Sequence, residues 1–397
     1  MPKPRYLVPM SSPEISADDR QAVLEVLQTT SLSIGPRVEA FEKNICATTG
    51  SRHAVAVSSG TSGLHLCVRA AGIQPRDMAL TTPFSFVSST NVLLFENAIP
   101  VFVDVDARSG NMDVAQLKQA ADDLSSGDAE RARKWLPRSG AEEPGLLRAI
   151  LAVDVFGQPA EYDAIQTIAR TYNLKLIEDS CEALGAEYKG RQAGCFGDYG
   201  VFAFYPNKQI TTGEGGVIVT DDAQAAQLMA SLRNQGRAQG DTWLQHTHLG
   251  YNYRMDEMSA ALGLSQLDRL DSLVDARQKV ADLYGQRLAG IEGVELPFVS
   301  EHTTRMSWFV YVIRLTEPIN RDRFAANLEA EGIPVRPYFL PIHLQPYMVE
   351  KFSYQPGDFP VTEDLGRRGL ALPFSSRMTA RDVDLVCERI QKCAAAF

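Results

Sequence analysis

The chain has 397 residues, 45% of them hydrophobic and 22% charged, with a formal net charge of -10, ordinary globular figures that leave room for two domains and a large core. The negative balance argues against nucleic acid as a partner, and no stretch reaches the roughly 18 apolar residues of a membrane span. Cys46, Cys67, Cys181, Cys195, Cys387 and Cys393 show no CxxC pair or metal spacing and read as reduced thiols of a cytoplasmic protein; the opening Met-Pro-Lys-Pro-Arg-Tyr-Leu has no long apolar run, so no signal peptide is expected.

Seven short apolar strands are expected at 54–58, 78–82, 101–105, 149–155, 174–177, 200–204 and 217–220. Helical patterns at 61–71, 89–96, 114–122 and 161–171 separate most of them. Such alternation implies an α/β fold with a mainly parallel sheet covered on both faces. No helix separates the last two strands, so that pair is expected to be antiparallel. A 3.6-residue periodicity then runs over 256–289, through Met258, Ala261, Leu262, Leu264, Leu267 and Leu270, and predicts a bridging helix. Beyond it a strand is expected at 308–315, a helix from the cap Asn320 to Gly332, and a last helix opened by Thr379-Ala-Arg-Asp382. The expected division is 1–255, a large domain with an N-terminal arm, and 256–397, the bridging helix and a small α/β domain.

Three segments carry chemistry. Ser58-Ser59-Gly60-Thr61-Ser62-Gly63 follows the first strand and opens a helix. Glycine lets the backbone approach an anion, the helix start offers free N–H groups, and Thr61 and Ser62 add hydroxyls. Many strand–helix turns share these features. The fifth strand ends in Glu178-Asp179, where a carboxylate points into the ligand crevice of such a sheet; the alternative is a helix N-cap. Lys208 stands between the last two strands, before Thr-Thr-Gly-Glu-Gly-Gly216. A lysine there suits Schiff-base work with an aldehyde; the alternative is a solvated hairpin lysine. A Schiff-base lysine with an acid for a pyridinium nitrogen is the constellation of pyridoxal phosphate enzymes.

In combination the motifs resemble the DegT/DnrJ/EryC1/StrS aminotransferases, fold type I pyridoxal 5'-phosphate enzymes that aminate keto-sugars. They are Gly35-Pro36 before Phe41-Glu42, Ser59-Gly60-Thr61, Pro83-Phe84-Ser85-Phe86, Gly157-Gln158-Pro159-Ala160, Glu178-Asp179, Lys208 with Gly213-Glu214-Gly215-Gly216, and Gly250-Tyr251-Asn252-Tyr253-Arg254-Met255. The resemblance implies that Lys208 forms the internal aldimine and moves the proton during transfer. It implies that Asp179 partners the pyridine nitrogen, that Phe86 stacks on the ring, and that Gly60 and Thr61, with Ser62, cup the phosphate. For Phe86 the alternative is a core phenylalanine. Asn252 matches a residue that a second subunit gives to the same phosphate, which implies a homodimer with shared sites. L-glutamate and a nucleotide-linked keto-deoxyhexose are the implied substrates, with a cyclitol ketone or a non-catalytic cofactor-binding regulator as alternatives. Some members carry histidine in place of the lysine and are dehydratases; Lys208 argues for amination.

Three departures stand out. Ala203 replaces a serine that touches the phosphate. Glu182 stands where many members have Gln or His, and near the ring's 3-hydroxyl it must be protonated or paired. The polar run from Arg133 to Pro144 lengthens a connection, as a surface loop or a substrate-side lid. Substrate contacts are expected from Tyr251, Arg254, Arg336 and His343, with Arg336 taking the donor's carboxylate and His343 facing the sugar. For Arg336 and His343 the alternative is a structural ion pair or hydrogen bond, and for Arg254 an ion pair with Asp256 or Glu257.

Overall fold

The computed structural model describes residues 6–396; the first five, on which the signal-peptide expectation partly rests, lie outside them. Seven strands form one sheet in the order His53–Val57, Gly216–Thr220, Tyr199–Ala203, Lys175–Asp179, Leu147–Val153, Met78–Thr81, Ile99–Phe102. Only Gly216–Thr220 runs against the others, antiparallel to both neighbours. The segment between Ala203 and Gly216 carries no helix, so the chain turns back beside the strand it has just left, as expected. The strands are buried along most of their length, because helices such as Gly60–Ala70, Ser88–Phe95 and Tyr162–Thr171 pack on the sheet. The shared strand direction brings the ends at Val57, Asp179 and Ala203 to one rim, where the three chemical segments begin. This is the fold type I aminotransferase architecture.

The C-terminal part has a three-stranded antiparallel sheet, Val294–Glu295, Tyr311–Leu315 and Gly369–Leu372, with Tyr311–Leu315 central. Helices Arg321–Ala330 and Ala380–Ala394 pack on it through Ile313, Phe324, Leu328, Leu370 and Ile390. Asn320 caps the first by accepting the Arg323 N–H, and Thr379 with Asp382 makes a reciprocal capping box on the second. The strand starts at Tyr311 rather than 308 because Trp308 lies at φ +51°, outside extended backbone. A smaller sheet, Glu187–Tyr188, Arg191–Gln192 and Thr303–Arg305, has no signal in the sequence strong enough to predict it.

The single helix expected over 256–289 is two, Glu257–Leu267 and Leu270–Leu288. At the break Arg269 turns its guanidinium to Glu14 and Asp19. Both helices bury an apolar face, so the periodicity runs through the break and conceals it. Glu257–Leu267 packs on Ala17–Leu27 and Pro36–Thr49. In the next helix Leu270, Leu273 and Val274 join the core of Phe41, Phe202 and Phe204, whereas Val280, Ala281, Tyr284 and Leu288 join the core of the small sheet. The change of core therefore falls inside Leu270–Leu288.

The 133–144 run is pinned rather than loose. Arg138 pairs with Asp358, Ser139 bonds Ser353, and Arg76 pairs with Glu143. The first two contacts tie it to the segment after helix Pro346–Phe352 and the third to the turn before strand Met78–Thr81, with no bond to Lys208, Asp179 or Phe86 among the described residues. Among those residues no helix is long and apolar enough to cross a membrane.

Candidate active site

The turn after the first strand is a helix start with two spare donors. The Ser59 side chain accepts the Ser62 N–H, and the Ser59 carbonyl accepts the Gly63 N–H. The N–H groups of Gly60 and Thr61 remain available to an anion. Only glycine fits at 60: a Cβ there would lie 2.7 Å from Cys181 Sγ and 2.8 Å from the Ala203 methyl. That close approach seats the helix start on the strand ends carrying Asp179 and Ala203. Gly216 serves the same approach from the other side, where a Cβ would lie 2.6 Å from the Ser59 carbonyl carbon. The Ser62 hydroxyl is buried between those of Ser58 and Ser59, at 3.0 and 2.8 Å. It completes the cap. The Thr61 hydroxyl donates to Ser88 at 3.1 Å, beside the Phe86 loop.

Successive residues of a strand face opposite ways, and Glu178 and Asp179 show the consequence. Glu178 turns into the protein and accepts the N–H groups of Gly194, Phe196 and Gly197, while burial pushes its pKa up to about 8. Asp179 turns the other way and is only 6% exposed. Its Oδ2 accepts from Ser89 Oγ at 2.7 Å and its Oδ1 from the Cys181 N–H at 3.3 Å. It caps no helix, and no side-chain cation pairs with it among the described residues. A buried carboxylate in that condition calls for a cationic partner.

Lys208 is enclosed, not a solvated hairpin lysine: its side chain is 13% exposed. Its Nζ stands 3.6 Å from Glu182 Oε1 and 3.9 Å above the Phe309 ring. Glu182 Oε2 accepts the Phe156 N–H at 2.9 Å. Burial raises the Glu182 pKa against the opposing pull of Lys208. Phe86 is 63% exposed and so is no core residue. Its carbonyl accepts from the same Ser89 hydroxyl that bonds Asp179. An amine, an unpaired acid, an exposed ring and an anion cradle thus meet at one rim.

The model of the DegT/DnrJ/EryC1/StrS aminotransferase family matches residues 13–391. The chain belongs to that family. It is therefore an aminotransferase of the pyridoxal phosphate-dependent class. It is 36% identical over 383 residues to the GDP-perosamine synthase of Caulobacter vibrioides, covering 96% of each chain. A DegT/DnrJ/EryC1/StrS aminotransferase structure from Brucella abortus superposes with a TM-score of 0.84 at 32% identity, over 94% of this chain and 95% of that one. The structure of S. venezuelae DesV in complex with a ketimine intermediate gives 0.86 at 29% identity, over 98% of each.

The expected substrate contacts fare unevenly in this aminotransferase. His343 is fully buried, with Nε2 3.0 Å from Glu363 and the Phe359 ring against its own; it cannot face a sugar here. The Tyr251 hydroxyl lies 3.3 Å from both Arg69 Nη1 and Glu96 Oε1, beside buried His65. Arg254 pairs with neither Asp256 nor Glu257 but donates to Asn234 Oδ1 at 3.0 Å. Asp256 caps its helix, and buried Glu257 accepts the N–H groups of Gly35, Arg37 and Val38 at the start of Pro36–Thr49. Arg336 is half exposed and reaches Glu329 at 3.4 Å. Asn252 is exposed and makes no side-chain bond among the described residues.

Sequence reasoning missed Ser89, Phe309 and Arg277. Ser89 gave no usable signal. Phe309 lies a hundred residues from Lys208 in sequence, and nothing local connects the two. Arg277 did leave a trace, an arginine at a position of the apolar stripe Leu273, Val274, Val280, Ala281.

Proposed function

We propose that this chain binds pyridoxal 5'-phosphate through Lys208, Asp179 and the Gly60–Thr61 turn, and passes an amino group from L-glutamate to a nucleotide-linked keto-deoxyhexose. The carrying observation is Asp179, buried and without a cation, on the same rim as the enclosed Lys208 amine. The residues present fit the cofactor: free N–H groups for a phosphate, an acid for a ring nitrogen, an amine for an aldehyde and an exposed ring to stack. When bound, the cofactor supplies an electron sink for the carbon that loses its proton. Asp179 holds the proton on the ring nitrogen. The Lys208 amine would take and return the proton at the reacting carbon of the substrate. Glu182, 3.6 Å from the amine, would lie near the ring, where only its protonated form could donate to a phenolic oxygen. Ala203 offers no hydroxyl, so the cradle relies on backbone N–H groups and Thr61.

Asn252 completes the phosphate site from a second copy in this reading. Its exposure supports that, as do the exposed Trp243, Leu244 and Leu249 a few residues before it in the chain. A closed two-fold pair then builds two shared sites. The sugar substrate draws support from the perosamine synthase likeness. The test is to load the purified protein with cofactor and L-glutamate, then add a panel of keto-sugar nucleotides and free keto-sugars. Glutamate-dependent amino-sugar formation on a nucleotide-linked ketone is expected. Amination of free ketones alone would overturn the substrate, and no transfer from glutamate would overturn the donor.

A further inference from the structure

Arg277 lies in the middle of the buried face of helix Leu270–Leu288, and is itself 3% exposed. An arginine at that depth ordinarily has a carboxylate partner. This one has none among the described residues. Its Nη2 donates to the carbonyls of Asn207 and Lys208, at 3.2 and 2.6 Å, and its Nη1 to those of Trp308 and Phe309, at 3.1 and 3.3 Å. Burial lowers its pKa only to about 10, so the guanidinium stays charged near neutrality.

The four acceptors are not a random set. Two belong to the segment that carries the Lys208 amine. Two belong to the segment whose Phe309 ring lies 3.9 Å beneath that amine. The segments are a hundred residues apart in sequence. They meet where the helix passes from one core to the other, between Val274 and Val280. A planar fork of five donors can hold two carbonyl pairs at once, and an ammonium cannot.

We propose that Arg277 is a positioning residue for the transfer: it staples the Lys208 segment to the Trp308–Phe309 segment and so holds the reacting amine over the Phe309 ring. The proposal rests on the reading of Lys208 given above for its catalytic part, but the staple itself is a property of the protein without cofactor. Loosening it leaves the donors of the phosphate cradle and Asp179 in place. The loss should appear in the chemical step rather than in binding, since misplacing a reacting group by about 1 Å costs on the order of 100-fold.

The test uses Arg277→Gln and Arg277→Lys. Each cofactor-free protein is pulse-acetylated, and the Lys208 peptide is compared by mass spectrometry with that of exposed Lys134. The account predicts several-fold faster acetylation of Lys208 in Arg277→Gln, with Arg277→Lys between it and wild type. With cofactor, kcat should fall about 100-fold while KM for the amino donor moves less than about 3-fold, and the circular dichroism induced in the cofactor band should change. Should Arg277→Gln fail to fold, Arg277→Lys carries the same readouts. A folded variant with the wild-type labelling ratio, dichroism and kcat would overturn the proposal. Wild-type protein that labels as expected but forms no visible band with cofactor would instead overturn the reading of Lys208, and the catalytic part of this proposal with it.

Discussion

The Lys208 site and the expected substrate contacts are built on different terms. Asp179, Glu182 and Lys208 are fixed at or just beyond strand ends, enclosed, and short of ordinary partners: one carboxylate has no cation among the described residues, and one amine faces a carboxyl across 3.6 Å. His343, Tyr251 and Arg254 are polar in the same way but already have side-chain partners, in Glu363, in Arg69 and Glu96, and in Asn234. Polar side chains near a site are therefore poor evidence of chemistry by themselves. A buried polar group left incomplete by its own protein is better evidence, because burial without a partner is costly unless a ligand completes it.

Substitutions sharpen that contrast. Lys208→Ala should leave the fold intact and lower turnover by about 10^4-fold or more, the upper end of what one positioned acid–base group contributes; appreciable multiple turnover would remove it from the catalytic site. Asp179→Asn should retain the cofactor and slow proton transfer by about 10^2- to 10^3-fold, through loss of the ring nitrogen's counter-charge. Single-turnover kinetics with glutamate would show it, and a near-normal rate would make Asp179 structural.

Asn252 breaks the pattern, being exposed and without a side-chain partner among the described residues. On the shared-site proposal Asn252→Asp would put a carboxylate against the phosphate, and Lys208→Ala would remove the amine. In a mixed dimer of the two, one site carries both lesions and the other neither, so random exchange restores about a quarter of wild-type activity. Demonstrated subunit exchange without recovery would place Asn252 in its own chain's site.

The smallest effect on activity is expected at His343. His343→Gln should leave turnover within about twofold and cost roughly 1–3 kcal/mol of stability, as the Glu363 bond and its packing are lost. Burial holds both His343 and His65 below the ordinary 6.5, despite their glutamate neighbours. The unfolded chain therefore gains these protons first as the pH falls. Their contribution is complete above about 6.5 and declines below it through the folded pKa, by at most about 1.4 kcal/mol per pH unit for each. Urea midpoints at pH 7.5 and 5.5 would show the decline, and His343→Gln should make it shallower.

The large sheet was legible because each strand is a short apolar run bounded by turn residues, and the Lys208 and Asp179 segments because their chemistry is local. The pairing of Gly216–Thr220 with His53–Val57 was not legible, since it is fixed by two chain ends far apart in sequence. Nor was the break at Arg269, where periodicity is blind to a short interruption. Ser89 and Arg277 act on Asp179 and Lys208 across the fold, and only the assembled structure puts them there. For His343 and Tyr251 the sequence leaves the partner open, because a polar residue in a polar-aromatic run looks the same whether its partner is a ligand or a neighbouring side chain.

The most direct measurement is where the cofactor attaches. Wild-type protein incubated with pyridoxal 5'-phosphate, reduced with borohydride and mapped by mass spectrometry should carry one cofactor per chain, on the peptide containing Lys208. Attachment to another lysine, or the same labelling in Lys208→Ala, would contradict the account.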